Sequence, residues 1–145
     1  MRKVLSTLAP LLILTVSMAA ASPMPTVVTP NKITWTAGTG LRAGTQTAVL
    51  SGDPQKAGPY TIRIKIPANT TIAPHFHAGT ENVTVLSGAL WVGLGDRVDR
   101  TKMVQLPAGS YASMPAGLHH YATAKEDTII QLHGNGPFTM TAVAH

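Results

Sequence analysis

The sequence predicts an all-β fold, a sandwich or barrel of short strands. Three observations carry that expectation. Beyond the first 21 residues, short runs rich in Val, Ile, Thr and aromatic residues recur at regular spacing. The segments between them hold Gly, Pro, Asn and Asp in turn-forming combinations. No window of the mature chain shows a convincing apolar period of a helix. The chain has 145 residues, 44% of them hydrophobic and 12% charged, which suits one ordered domain.

In chain order, Arg2-Lys3, the apolar stretch Leu5 to Met18 and Ala19-Ala20-Ala21 form the three regions of a secretory signal over residues 1–21, with the mature chain starting near Ser22. A membrane anchor is the competing reading. The apolar core is shorter than the roughly 20 residues a spanning helix needs, and Pro10 interrupts it. Cleavage is therefore preferred, no stable membrane span is expected after it, and the protein is expected to be exported, periplasmic or secreted. Arg2-Lys3 is not a twin-arginine pair, so export before folding is expected. The remaining 124 residues are enough to bury a core without staples. The chain has no cysteine, which removes disulfides, Cys-based zinc sites and thiol catalysis.

Residues 22–32 hold three prolines and read as an extended arm; residues 33–145 read as a single domain. Strands are expected at Ile33 to Trp35, Thr45 to Leu50, Tyr60 to Ile66, Glu81 to Ser87, Ala89 to Leu94, Met103 to Leu106, Ser110 to Met114 and Thr128 to His133, with Phe138 to Val143 a further candidate. Turns are expected at Ser51 to Pro54, Pro67 to Asn69, Gly95-Asp96, Pro107 to Gly109, Pro115 to Gly117 and Gly134 to Pro137. Alternation is clearest in Tyr60 to Ile66, where Ile62, Ile64 and Ile66 share one face and Thr61, Arg63 and Lys65 the other.

Composition excludes several functions. The formal charge is +5, or +3 without Arg2 and Lys3, and no Lys/Arg run exists; a nucleic-acid partner, which needs a clustered basic face, is not expected. Gly38-x-Gly40-x-x-x-Gly44 lacks the Lys-Ser/Thr of a phosphate loop. There is no Gly-x-Ser-x-Gly elbow. The six acids are Asp53, Glu81, Asp96, Asp99, Glu126 and Asp127, four of them in turn-like segments, a poor supply for a carboxylate-pair glycosidase.

Six histidines lie at 75, 77, 119, 120, 133 and 145. On a strand, His75 and His77 point the same way, about 6–7 Å apart at Cα, a span that two ligands of one metal can close. If Ala78 to Thr80 turn, Glu81 swings back to the same point. A carboxylate among imidazoles suits a divalent ion such as Mn, Fe, Ni, Cu or Zn. Taken alone, His-x-His is more often chance pairing on a half-exposed strand.

The surrounding spacing resembles the cupin superfamily. His75-x-His77, three residues, Glu81, six residues and Gly88 follow its first motif, G-x5-H-x-H-x3-4-E-x6-G; Gly109, five residues, Pro115-Ala116-Gly117, two residues and His120 follow its second, G-x5-P-x-G-x2-H-x3-N. Eight anchors match in order, 20 positions separate the motifs, and the resemblance spans roughly Tyr60 to Ile130. Asn69 stands where the first Gly is expected and Ala124 where the family often has Asn; Asn tolerates the positive φ of that turn. The resemblance implies a cupin-type jelly-roll barrel, the double-stranded β-helix, and one divalent transition metal (Mn, Zn, Cu, Fe or Ni) held by His75, His77, Glu81 and His120. Its register selects His120 over the rival His119, since neighbours on a strand face opposite ways.

For Gln131 and His133, a cavity-facing and a solvent-facing reading stand nearly level, with solvent slightly preferred. Met103, Met114 and Met140, with Phe76 and Trp91, read as packing, and His145 as a disordered end. Tyr111 and Tyr121 flank the second motif without a role the sequence can assign. A small-molecule ligand or substrate and a homodimer are the expected partners. Three functions follow: a metal-dependent enzyme, oxygenase before isomerase or lyase; a non-catalytic binder of a small molecule or metal; and a barrel that its ion only stiffens, which the complete ligand set disfavours.

Overall fold

The computed structural model describes residues 24–38 and 43–144; the expected secretory leader, the middle of the Gly38 to Gly44 stretch and His145 lie outside them. The strands are β1 (Thr36–Ala37), β2 (Gln46–Ser51), β3 (Gly58–Ile66), β4 (Thr70–Phe76), β5 (Glu81–Ser87), β6 (Ala89–Leu94), β7 (Val104–Pro107), β8 (Tyr111–Met114), β9 (His120–Ala124), β10 (Thr128–Gly136) and β11 (Thr141–Ala142). They form a six-stranded sheet, ordered β1-β2-β3-β10-β5-β8, and a five-stranded sheet, ordered β11-β4-β9-β6-β7. Neighbours within each sheet run antiparallel. This is the jelly-roll barrel that the resemblance implies.

The centre of the six-stranded sheet follows from alternation. In β3, Tyr60, Ile62, Ile64 and Ile66 are buried and the residues between them are not. The register with β10 sets Ile130 against Ile64 and Leu132 against Ile62, so these side chains share the inner face. They meet Val83 and Val85 of β5, and Leu90, Val92, Ala122 and Ala124 of the other sheet, in one apolar core. The same register sets Gln131 against Arg63 and His133 against Thr61. Gln131 and His133 therefore face outward, with the Arg63 Nε–H donating to Gln131 Oε1 at 3.1 Å, and the solvent-facing reading is the right one.

Two turns depend on backbone conformation. Gly88 joins β5 to β6 at φ 69°; a Cβ there would lie 2.5 Å from the Asp127 carbonyl oxygen, so no larger residue fits. Asn69 holds φ 59° before β4 and supplies the left-handed conformation that the missing glycine would have given.

Several expectations shift. Ile33 to Trp35 is not a strand; pairing starts at Thr36, and Trp35 instead lies under the Lys65 ammonium, 4.2 Å from the ring centre. Phe138 to Val143 shortens to β11. Strand β9 and the body of β4 carry no sequence signal. Every residue of β9 is buried, so it shows no alternation. In β4, Pro74 removes a backbone donor, and the register with β9 shifts between Ile72 and His75.

Candidate metal centre

The site forms on the seam between β4 and β9. His75 and His120 are direct cross-strand partners, so both side chains leave the sheet on the same face, with ring centres 4.3 Å apart. His77, just past the end of β4, brings its ring centre to 5.0 Å from His75 and 5.3 Å from His120. Each ring offers a nitrogen, and these nitrogens lie within 4.8 Å of one another. Residues Ala78 to Thr80 then carry the chain into the other sheet, where Glu81 opens β5. Its Oε2 returns to 3.5 Å from His77 Nε2 and 3.4 Å from His120 Nε2. The Gly117 N–H donates to the His77 carbonyl at 2.9 Å, tying the Pro115 to Leu118 turn to the first motif.

All three imidazoles are oriented from behind. His75 Nδ1 meets the Ala73 carbonyl at 2.7 Å, His77 Nδ1 the Thr139 carbonyl at 2.6 Å and His120 Nδ1 the Leu118 carbonyl at 2.9 Å. A carbonyl oxygen only accepts, so each Nδ1 carries a proton and donates it, and in the neutral ring Nε2 is left with a bare lone pair. His77 Nε2 is buried and has no hydrogen-bond partner. Leaving a buried polar atom unmatched costs about 1–3 kcal/mol, and a cation at the shared focus would remove that cost.

Electrostatics separates the rings. Burial pushes His75 down from 6.5 to about 4, and positive charge on His120 or His77 would push the same way against the Ala73 carbonyl. Burial also works against charge on His120, but the Glu81 carboxylate and the Leu118 carbonyl outweigh it and raise the pKa above 6.5. Burial thus favours a neutral His75, whereas the Glu81 carboxylate favours a charged His120.

Placement of the other sequence candidates is plain. His119 points away from the focus, stacks on Phe76 with ring centres 5.0 Å apart, and pairs its Nδ1 with Asp96 at 2.6 Å on the surface. Tyr121 is fully buried behind the seam, its hydroxyl donating to the Asp99 carbonyl at 3.1 Å. Tyr111 lies on the outer face, donating to Asn82 Oδ1 at 2.7 Å. Met114 packs in the core, whereas Met140 is exposed.

Three contributors had no sequence assignment. Phe138 stacks on His77, ring centres 4.9 Å apart, and packs at a tilt against Tyr60 at 5.7 Å. Thr139 gives its carbonyl to His77. Tyr60, at the head of the β3 inner face, is pushed up to about 12 by burial with a further rise from the Glu81 charge, so its phenol stays protonated. Its place in step with Ile62 was legible from the alternation; the Thr139 carbonyl, a backbone group, leaves no trace in a sequence. Tyr60, His77, Glu81, Asn135 and Phe138 border a void too narrow to admit a water-sized sphere. A larger concavity of about 450 Å³ lies elsewhere, bordered by Gly44, Lys65, Pro67 and Asp127, and touches none of the clustered histidines.

The profile of the ChrR cupin-like domain matches residues 23–139. The chain belongs to that cupin family. Solved cupin structures repeat the architecture. The polyketide cyclase RemF from Streptomyces resistomycificus superposes with a TM-score of 0.70 at 16% identity, covering 84% of this chain and 87% of its own. A candidate acetylacetone dioxygenase from Methylibium petroleiphilum superposes at 0.66 with 17% identity, covering 86% and 85%. KdgF from Halomonas sp. superposes at 0.58 with 20% identity, covering 74% and 91%. At these identities the likeness of this cupin to its neighbours establishes the fold. No functionally curated protein matches the sequence.

Proposed function

We propose that this cupin is an exported metal-dependent enzyme acting on a small organic molecule, with oxygenase chemistry first and an isomerase or lyase reaction next. The observation that carries the proposal is His77 Nε2, buried without a partner and grouped with the ring nitrogens of His75 and His120 within 4.8 Å. Those three imidazoles would hold one divalent ion, Mn, Zn, Cu, Fe or Ni, and Glu81, within 3.5 Å of two of them, would be the fourth ligand. Such an ion supplies Lewis acidity to an oxygen of whatever binds beside it, with the open positions that set a reactive site apart from a closed structural one.

The protein's own groups suit an oxygen-bearing ligand. Tyr60 remains a neutral donor because its pKa is raised to about 12, so it can hydrogen-bond an enolate or phenolate oxygen. Phe138 offers an aromatic wall. Two fold neighbours are named for work on a polyketide and on acetylacetone, which makes enols, phenols and diketones the first compounds to try. Export is supported by the three-part leader and by a family match that begins at residue 23. A homodimer is part of the same proposal, because β1, β8, β7 and β11 leave sheet edges that need covering.

A second reading, capture of a metal or small ligand without turnover, is favoured by the narrowness of the void beside His77. One experiment separates them: metal analysis of protein purified from its native compartment, then oxygen uptake with enols, phenols and diketones. Stoichiometric metal with uptake on one of these compounds supports the oxygenase. Stoichiometric metal with no turnover of any of them supports capture. Light scattering checks the dimer, and mass spectrometry of the exported protein should find a mature N-terminus within a residue or two of Ser22.

A further inference from the structure

After β10 the chain does not leave the barrel. Residues Pro137 to Val143 fold back along β4 and behind His77 as a strap. Its attachments are few and specific. The Phe138 N–H donates to the Pro54 carbonyl at 2.6 Å and the Val143 N–H to the Pro74 carbonyl at 3.0 Å. Thr141 and Ala142 pair with Phe76 and His75. Between these ties the Phe138 ring lies on the His77 ring, 22° from parallel, and the Thr139 carbonyl accepts the His77 Nδ1 proton.

His77 differs from its two partners in this respect. His75 and His120 take their carbonyls from Ala73 and Leu118, each two residues earlier in the same segment. His77 takes its carbonyl from a residue 62 positions away. The local backbone therefore orients two of the imidazoles, and the third is oriented only when the strap is docked. The strap itself buries little: Thr139, Met140, Thr141 and Ala142 are all exposed. Its hold depends on a handful of hydrogen bonds and on the Phe138 ring, which touches His77, Tyr60 and the edge of the core, the profile of a segment whose local opening is inexpensive.

We propose that the C-terminal strap is a positioning element of the metal centre: docking of Phe138 and Thr139 fixes His77 with Nε2 bare, and ion binding in turn holds the strap down. This rests on the metal-centre reading above. The coupling is reciprocal by necessity, because an element that raises affinity for the ion is stabilised by the ion to the same extent. Tautomer and orientation set from behind a histidine ligand are typically worth 10- to 100-fold in metal affinity.

The test compares the full chain, a chain ending at Gly136, and Phe138→Ala in the full chain, using zinc alone as the probe with a competing chelator. The chain ending at Gly136 is expected to bind zinc about 10- to 100-fold more weakly, and Phe138→Ala to fall between it and the full chain. Ring ¹⁵N shifts of His77 should show the Nδ1-protonated tautomer in the full chain and a mixture in the other two, a readout that a merely stabilising tail would not move. Zinc should also slow hydrogen exchange across Pro137 to Val143. If the shortened chain fails to fold, Phe138→Ala and the exchange measurement decide. Equal zinc affinity in a folded shortened chain, or exchange in the strap that zinc leaves unchanged, overturns the inference while the metal centre stands. A full chain that binds no zinc overturns the metal centre and this inference with it.

Discussion

The core between β3 and β10 and the seam between β4 and β9 are built from the same antiparallel pairing and serve opposite ends. At β3–β10, inner-face partners are apolar, Ile64 against Ile130 and Ile62 against Leu132, Arg63, Gln131 and His133 lie on the outer face, and the buried Thr128 hydroxyl donates to the Ala89 carbonyl. At β4–β9, the inner-face partners are two imidazoles, His75 against His120, held with His77 and Glu81 in the interior. The first region gains stability from burial at about 25 cal/mol per Å² of apolar surface. The second buries polar groups that repay their desolvation through hydrogen bonds and, in the function proposed above, through a cation. Stability and function are thus concentrated in different strand pairs, and substitutions in the two regions should have separable consequences.

Metal loss in the seam is the largest separable effect. His75→Ala, His77→Ala and His120→Ala should each reduce metal affinity by well over the 10- to 100-fold typical of an indirect contact, read by metal content after gel filtration of folded protein. Retention of metal in all three variants would break the comparison outright. Next is the core. Leu132→Ala, removing a side chain that is 1% exposed, should cost about 2–5 kcal/mol in denaturant unfolding while leaving the metal stoichiometry of the folded fraction unchanged.

A pH series on metal-free protein sharpens the contrast, because the apolar core does not titrate. His75 is depressed to about 4 from 6.5. Between those values only the unfolded chain takes the proton, so stability falls as pH drops through that window, by up to about 1.4 kcal/mol for each unit. His120 is raised above 6.5, so its contribution is fully present below 6.5 and is lost as pH rises through its folded pKa. The contributions of these two groups therefore combine to a maximum near pH 6.5, and His75→Ala should flatten the acid side. A metal-free stability that keeps rising as pH falls from 6.5 toward 4 would contradict this assignment of His75.

The smallest effects belong to the outward histidines. His119→Ala loses only an exposed pair with Asp96, worth about 0–1 kcal/mol, and its stack on Phe76. His133→Ala, on the solvent face of β10, should fall within about 0.5 kcal/mol of the parent. Both should bind metal within twofold of the parent. Loss of metal in His119→Ala with retention in His120→Ala would place the second motif one residue out of register.

What the sequence determined by itself was everything that repeats or is spaced. Alternation of Ile62, Ile64 and Ile66 sets the inner face of β3, because side chains on a strand have period two. The bounds of β5 and β6 follow from the glycine that must separate them. The two motifs, through their resemblance to the cupin superfamily, bring forward His75, His77, Glu81 and His120, the four side chains that meet in the structure; only the spacing of His75, His77 and Glu81 is a local property of a strand and a turn. Tertiary structure decided the rest. Strand β9 is buried on both faces and so carries no period for a reader to see. The orientation of Gln131 and His133 was settled by register against β3, a contact nearly 70 residues distant. The strap over His77 acts through a backbone carbonyl and a ring brought from 62 positions away. Every residue has a carbonyl, so only the folded path of the chain can say which one reaches an imidazole.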